Sequence, residues 1–124
     1  MSVEEDEEDA YDGILVPELR IDSVEWSPEQ TDHIRTRSTR YPGALDVEPE
    51  WATEAALDRR ARIGLDPSSK TGEGIRVTGW SAGAGRVLTV ILLPAAHPPT
   101  GTWLGATSWM TKGRDLRDYR EEEE

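Results

Sequence analysis

The 124-residue sequence lacks cysteine and phenylalanine, and it holds only two histidines. Without cysteine there are neither disulfides nor thiolate metal sites. His33 and His97 are far apart, and neither has a second histidine at helical spacing, so we expect no metal site and no cofactor. Without phenylalanine, the bulky apolar side chains of the core must come from five tryptophans and the aliphatic residues.

Long apolar runs are also missing. The longest, "VLTVILLPAA", is much shorter than the roughly 20 residues that a membrane-spanning helix needs. The first residues, "MSVEEDEED", have neither the basic region nor the apolar core of a signal peptide. We therefore expect a cytoplasmic protein with no membrane contact, and 124 residues are enough for one domain.

The ends of the chain lack basic residues. The first twelve residues hold seven acids and the last four are all glutamate, so 25 − 11 = 14 acids remain to balance the 14 basic residues, all of which lie in residues 13–120. We therefore predict acidic tails at 1–12 and 121–124 around a single neutral domain at 13–120. Blocks of like charge cannot bury apolar area, which favours disordered tails. The alternative is a tail that folds over a basic groove and competes there with RNA, an effect that salt would weaken.

Two short helices are predicted in the first half of the chain. "ILVPELRIDSVEW" contains Pro17, so any strand there is short or at a sheet edge. Ser27 is a suitable N-cap, and with proline next to it a helix is expected over about Pro28–Thr36. "DVEPEWATEAAL" predicts a second helix with Trp51 and Ala55 on one face.

The glycine-rich stretch "GEGIRVTGWSAGAGRVLTVILL" predicts a β-hairpin. Residues 75–80 alternate, with Ile75, Val77 and Gly79 on one face and Arg76, Thr78 and Trp80 on the other, and "RVLTVILL" is typical of a central strand. A phosphate-binding loop would require a helix after the glycines and a Lys-Ser/Thr pair at the positions of Arg86 and Val87. "GWSAG" likewise imitates a nucleophile elbow only in its letters, because a strand follows Ser81.

The remaining segments complete an α+β pattern. "IGLDPSSKTGEG" is read as a loop, "PAAHPPTG" as a turn that exposes His97, and "TWLGATSW" as another strand. "TKGRDLRDYREEEE" predicts a short terminal helix with Leu116 and Tyr119 on one face. The predicted fold is a small antiparallel β-sheet of three to four strands, with two N-terminal helices and a short C-terminal helix on one side.

Most of the basic residues are arginines. Twelve of the basic residues occur in four groups: Arg35, Arg37 and Arg40; Arg59, Arg60 and Arg62; Arg76 and Arg86; and Lys112, Arg114, Arg117 and Arg120. The planar guanidinium group binds phosphate in a forked geometry and stacks on bases. Brought together, such groups would bind single-stranded RNA, with an exposed tryptophan as the stacking partner. The alternative is that they are solvated and pair with nearby acids.

The order of these segments resembles the BrnT-type toxins of bacterial type II toxin–antitoxin systems, which are small ribonucleases with a RelE-like fold. The resemblance runs from about Val24 to Glu121. It rests on "VEWSPEQTDHI", "EPEWATEAAL", "DPSSKTGEGIRVTGWSAGAGRVLTVIL" and "GATSWMTKGRDLRDYREE". It implies an endoribonuclease that acts on mRNA, an antitoxin partner that neutralises it, and DNA contact only through that antitoxin.

The resemblance also implies a set of site residues. Such metal-independent ribonucleases need a base for the ribose 2′-OH, an acid for the leaving oxygen and cations for the phosphorane. Glu73 and Arg76 match a Gly-Glu-x-x-Arg strand, Arg86 the hairpin arginine, and Tyr119 the terminal helix. The predicted catalytic residues are His33, Arg76 and Arg86, and the predicted substrate-binding residues are Arg60, Lys112, Arg114 and Arg117.

Some positions depart from the family pattern. Where the family reads Ser-Ala-Arg on the last strand, this chain reads Ser108-Trp109-Met110, so Lys112 or Arg114 would have to replace the arginine. A second hypothesis is therefore a catalytically inactive protein-interaction module with the same fold, in which the sheet and its tryptophans bind a protein partner.

Overall fold

A computed structural model of the protein describes residues 10–11 and 14–122. Nearly all of the predicted N-terminal tail, and the last two glutamates of the C-terminal tail, lie outside the described residues. The strands are Ala10–Tyr11 (β1), Ile14–Leu15 (β2), Ser23–Glu25 (β3), Arg62–Leu65 (β4), Ile75–Ser81 (β5), Arg86–Pro94 (β6) and Thr102–Met110 (β7). The helices are Pro28–Arg35 (α1), Pro49–Ala56 (α2) and Gly113–Glu122 (α3), with 3-10 turns at Val16–Glu18 and Arg37–Thr39.

The fold is α+β, as predicted, but the sheet is larger than expected. It has five strands in the order β4-β5-β6-β7-β3, and β1 and β2 form a separate two-stranded ribbon. The expectation of a purely antiparallel sheet of three to four strands is wrong, since β3 runs parallel to β7. Most of β4 falls in a stretch that we read as a loop. Strand β3 is short and lies at a sheet edge, as the sequence analysis expected of any strand in that segment. Strand β4 is an edge strand of four residues that pairs with the next strand along the chain, and it is too short to show a clear alternation.

The helices cover both faces of the sheet. On the inner face the end of α2 lies so close to β5 that a Cβ added at Gly79 would be 2.0 Å from the carbonyl oxygen of Ala55. On the outer face α3 follows β7, and Asp115 of α3 lies 3.9 Å from Arg76 of β5. The prediction that all helices lie on one side is therefore wrong. Strands β1 to β3 also precede α1, so the chain does not begin with helices.

The core lies between the inner face of the sheet and the two helices α1 and α2. The central strand β6 is buried over residues 87–92, as its continuous apolar run predicts. Two tryptophans supply bulk that phenylalanine would otherwise provide. Trp103 is fully buried and donates from Nε1 to the carbonyl oxygen of Arg20 at 2.8 Å, and Trp26 packs on Gly105 and donates to Thr53 at 3.1 Å.

The predicted hairpin is confirmed. Strands β5 and β6 pair from Ile75 to Ser81 and are joined by residues 82–85, in which Gly85 has a φ of 66°. A second strand follows the glycines, so a helix N-terminus for phosphate is absent at this turn. Ser81 is fully buried and donates its hydroxyl to Glu54 at 2.7 Å. The buried serine therefore supports the turn and is not presented as a nucleophile.

Candidate functional site

The predicted site residues lie in four separate places. These are a surface at the end of α1 (His33, Arg86 and Lys112), a groove between α3 and the sheet (Arg76), a groove beside Trp80 (Arg60), and the exposed outer side of α3 (Arg114 and Arg117).

The first of these places, which we call the cationic surface, is formed by the end of α1, the residues after it, the start of β6 and the end of β7. Helix α1 begins with the predicted cap, since Ser27 Oγ accepts from the backbone N–H of Gln30 at 3.1 Å. It ends at Arg35, and a 3-10 turn follows. The members of the cationic surface are His33, Arg37, Arg40, Tyr41, Arg86, Trp109, Met110 and Lys112.

Arg40 closes the C-terminal end of α1. Its Nη2 donates to the carbonyl oxygen of His33 at 2.6 Å, and its Nη1 lies 3.3 Å from the hydroxyl of Thr36. The last carbonyl groups of a helix lack partners within the helix and carry its negative dipole end, which favours a cation there. Arg40 is thereby held beside His33.

Arg37 connects the turn after α1 to the end of β7. Its guanidinium carbon lies 4.7 Å from the centre of the Tyr41 ring and 5.6 Å from that of Trp109. Both distances are within the range of cation–π attraction. The same two rings, with Met110 and Lys112, line a groove of about 290 Å³.

Arg86 also belongs to this side of the molecule. Its Nη1 lies 3.0 Å from the sulfur of Met110, the residue that replaces the arginine of the resembled family. Arg86 pairs across the hairpin with Ser81, whose side chain contacts α2 on the inner face. Because directly paired residues of antiparallel strands share a face, Arg86 is on the inner side.

Arg76 lies on the opposite face from Arg86. In β5 it alternates with the buried Ile75 and Val77, which belong to the inner core. Its side chain therefore projects to the outer face, where it meets Asp115 at 3.9 Å. The structure does not bring Arg76 and Arg86 together, so the two cannot clamp one phosphate as the sequence analysis expected.

His33 is exposed, and its surroundings favour the neutral imidazole. Partial burial lowers the pKa of His33, the positive charges of Arg40 and Arg37 lower it further, and Asp32 opposes them. A histidine with a lowered pKa is mostly unprotonated near neutral pH and is able to accept a proton. The cations beside it suit an anionic ligand.

The cations of this surface have no acidic partners among the described residues. Arg37, Arg40, Arg86 and Lys112 make no ion pair with any carboxylate of residues 14–121. By contrast, Arg35 on the same helix lies 2.8 Å from Glu48. The alternative that the arginines are paired with nearby acids therefore holds for Arg35 and does not hold for the cationic surface.

The groove between α3 and the sheet, which we call the α3 groove, has mixed charge. It encloses about 390 Å³ and is lined in part by Arg62, Arg76, Thr78, Asp115 and Asp118. Asp115, Asp118 and Tyr119 occupy the side of α3 that faces the sheet, while Arg114 and Arg117 are exposed on its outer side. Helical periodicity thus separates the predicted arginines of α3 from the groove that contains Arg76.

Three other residues that the resemblance implied have other partners: Glu73, Tyr119 and Arg60. Glu73 lies in the loop before β5, where one carboxylate oxygen is 3.6 Å from Nε2 of His97. Tyr119 is 2% exposed, and its hydroxyl donates to Asp58. Arg60 follows Asp58 in the chain and lines the groove beside Trp80. None of these three residues is part of the cationic surface.

Sequence reasoning missed part of the cationic surface. Arg37, Arg40 and Lys112 were recognised as basic, but Tyr41 and Trp109 were not connected with them. The spacing of Arg37 and Tyr41 is a readable local signal. The contribution of Trp109 depends on how β7 packs beside the turn after α1, which the sequence does not show.

Residues 10–11 and 14–122 contain no cluster of three or more histidine, aspartate or glutamate side chains arranged to hold a metal ion. In the same residues, none of the helices combines the length and the apolar character needed to cross a membrane. The sequence matches no protein-family model and no curated protein.

Proposed function

We propose that the protein is the toxin component of a type II toxin–antitoxin system. In this proposal it is an endoribonuclease that acts on mRNA without a metal ion and is neutralised by a cognate antitoxin, through which alone it contacts DNA. The proposal rests on the motif resemblance together with one structural observation. Three of the predicted site residues are connected with one groove: Lys112 lines it, Arg86 contacts its Met110, and the charge of its Arg37 acts on His33. The cations around this groove have no carboxylate partners among residues 14–121.

The cationic surface has the groups that RNA cleavage requires. Neutral His33 takes the proton of the ribose 2′-OH, and the 2′-oxygen forms a bond to phosphorus. The bond from phosphorus to the 5′-oxygen breaks, and that oxygen takes a proton from solvent. Arg37 and Arg86 offset the negative charge that develops on the phosphorane. The products are a 2′,3′-cyclic phosphate and a 5′-hydroxyl.

The aromatic residues of the surface favour single strands. Tyr41 is 55% exposed, and Trp109 beside it is half-buried. Unpaired bases stack on such rings, whereas the bases of a duplex are not accessible to them. Arg37 between the two rings adds a cation that is already oriented before RNA arrives.

The test is cleavage of a single-stranded RNA by the purified protein in the presence of a chelator, with the product ends identified. His33→Gln should reduce the cleavage rate about 100-fold or more while RNA binding persists, because it removes a proton acceptor and no charge. Arg86→Ala should weaken both binding and cleavage. Arg20→Ala is the matched control, because it removes an exposed arginine that is not part of the cationic surface. We expect it to change neither RNA binding nor cleavage.

Growth gives a second measurement. Expression of the wild-type chain should slow growth, and His33→Gln should relieve the effect. If the folded wild-type protein neither cleaves RNA nor slows growth, the proposal is wrong.

One observation favours the second candidate, a catalytically inactive interaction module. Arg76, a predicted catalytic residue, lies across the sheet from His33 and Arg86 and is close to Asp115. An interaction module would bind a protein tightly and show no affinity for RNA at low salt. Salt-dependent RNA binding that requires Arg86 would exclude this candidate, since neutralised phosphates give affinity a steep salt dependence.

A further inference from the structure

A second groove, which we call the Trp80 groove, opens on the outer face of the sheet. It is lined by Asp58, Arg59, Arg60, Trp80 and Tyr119, has a volume of about 550 Å³ and is open to solvent. A ligand would therefore lie on this groove with one side in contact with the protein, although the volume itself is within the range of about 300–1,000 Å³ for small-ligand sites. Its walls come from the loop after α2, the end of β5 and the inner side of α3.

Trp80 provides a flat apolar surface in this groove. It is 46% exposed, although the residues before it in β5, Thr78 and Gly79, are buried. An indole that is half exposed at the end of a strand, beside two arginines, is the arrangement on which planar bases stack. Nothing in the inner core requires a tryptophan at this position, because its side chain projects to the other face.

Asp58 fixes the shape of the groove. Its Oδ2 accepts the backbone N–H of Trp80 at 2.8 Å and the hydroxyl of Tyr119, and its Oδ1 accepts the backbone N–H of Arg60 at 3.1 Å. The carboxylate is therefore satisfied by hydrogen bonds from the fold. The loop that carries Arg59 and Arg60 is held in place before a ligand binds.

The two arginines of the loop are exposed and open to an anion. None of the carboxylates of residues 14–121 lies within ion-pair distance of Arg59 or Arg60, although the charge of Arg60 acts on Asp58 in the same groove. Asp58 already accepts three hydrogen bonds from the fold, whereas in the neighbouring α3 groove Arg76 is close to Asp115. A phosphate group on the outer face is therefore expected beside Arg59 and Arg60.

We infer that the Trp80 groove is a second binding site, separate from the cationic surface, for a nucleoside phosphate. The base stacks on Trp80, and the phosphate is bound by Arg59 and Arg60. The ligand is either a free nucleotide or one nucleotide of a single-stranded RNA that continues around the molecule. The inference does not depend on catalysis at His33, because the two sites have no residue in common.

The experiment uses the full-length chain and two probes, AMP and a short single-stranded oligoadenylate, with affinity measured by calorimetry. Trp80→Ala should weaken binding about tenfold or more, and Trp80→Phe should retain most of it because a flat ring remains. Arg59→Ser combined with Arg60→Ser should weaken binding as strongly, and lower its salt dependence, without changing Trp80. Leu104→Ala, which shortens an exposed apolar side chain of β7 that lines neither groove, is the control and should bind both probes as the wild type does.

The probes separate the two sources of the ligand. If AMP binding depends on Trp80, the groove is a site for a free nucleotide. If only oligoadenylate binding depends on Trp80, the groove is a contact along an RNA strand. If neither probe responds to the Trp80 and arginine variants while all of them remain folded, the inference is overturned. RNA cleavage is measured on the same variants. If the wild type does not cleave RNA but binds a probe in a way that depends on Trp80, the proposed function fails while this inference stands, because binding at Trp80 does not require an active His33.

Discussion

The hydroxyl of Tyr119 donates to Oδ2 of Asp58, the same oxygen that accepts the backbone N–H of Trp80. This contact joins the last turns of α3 to the loop after α2 and to the free edge of β5. Tyr119 is 2% exposed, whereas most other residues of α3 are polar and at least partly exposed. Tyr119 is therefore the most deeply buried attachment of α3 among residues 113–121, beside the contact of Asp115 with Arg76.

We predict that Tyr119→Phe lowers the free energy of unfolding by about 1–3 kcal/mol, because one hydrogen bond to a charged carboxylate is lost while Asp58 keeps the backbone N–H donors of Trp80 and Arg60. Burial alone would raise the pKa of Asp58, but the hydrogen bonds from Tyr119, Trp80 and Arg60 and the charge of Arg60 hold it below its ordinary value. This stabilisation is present above the unfolded pKa and is lost as pH falls through the folded pKa. In Tyr119→Phe the folded pKa of Asp58 should move back towards its unfolded value, so the acid-dependent loss should be smaller and should be complete at a higher pH than in the wild type.

Urea unfolding at neutral pH and across the acid range measures both effects. Tyr41→Phe is the control, because Tyr41 is exposed and removal of its hydroxyl should change little. Equal stability of Tyr119→Phe and wild type at every pH would show that the contact with Asp58 does not stabilise α3.

Local patterns predicted the parts of the fold that short-range geometry determines. Ser27 and the proline after it mark the start of α1, and the alternation in β5 correctly assigns Arg76 and Trp80 to the face opposite Ile75. Strand β4 was missed because it has only four residues, and the parallel pairing of β3 with β7 was missed because the two strands are far apart in the sequence. Neither feature leaves a clear periodic signal.

The candidate site was less predictable than the fold. The face on which Arg86 lies depends on its pairing with Ser81, and hence on the exact length of the turn at residues 82–85. A shift of the register by one residue would have moved Arg86 to the side of Arg76. The spacing of the glycines in the sequence therefore does not reveal that Arg76 and Arg86 lie on opposite faces of the sheet.

The pKa of His33 should respond in opposite directions to two nearby substitutions. Arg40→Ala should raise it, because a positive charge that disfavours the imidazolium is removed, and Asp32→Asn should lower it further. Titration of the imidazole resonances by NMR measures both shifts. Movement in the same direction in the two variants would contradict the electrostatic arrangement of the cationic surface.

His33 should also make stability depend on pH. Its folded pKa is below its unfolded pKa, so the unfolded state binds more protons between the two values. Stability should therefore decrease as pH falls from the unfolded pKa towards the folded one, and remain reduced below it. His33→Gln should remove this decrease, which unfolding curves across mildly acidic pH measure. If the variant shows a decrease in stability of the same size, the decrease comes from the titration of groups other than His33.

Gly79 and Gly64 form a matched pair of glycines in adjacent strands. A Cβ at Gly79 would lie 2.0 Å from the carbonyl oxygen of Ala55, whereas a Cβ at Gly64 would have no atom within 4 Å. Gly79→Ala should lower stability by at least about 2 kcal/mol, because α2 must move away from the sheet. Gly64→Ala should stay within about 0.5 kcal/mol of wild type. Thermal unfolding of both variants checks this, and equal effects would contradict the close packing of α2 on β5.

Glu54 supports the hairpin turn from α2. Its Oε1 accepts the hydroxyl of Ser81 at 2.7 Å and the backbone N–H of Gly83 at 2.9 Å. Glu54→Ala should cost about 1–3 kcal/mol, because the buried serine loses its acceptor, while Glu54→Gln keeps a carbonyl oxygen for both donors and should cost less. Glu50→Ala, at an exposed position of the same helix, is the control. Hydrogen exchange at Gly83 and Ala84 should quicken in Glu54→Ala, and unchanged exchange there would mean that the turn keeps its shape without the carboxylate.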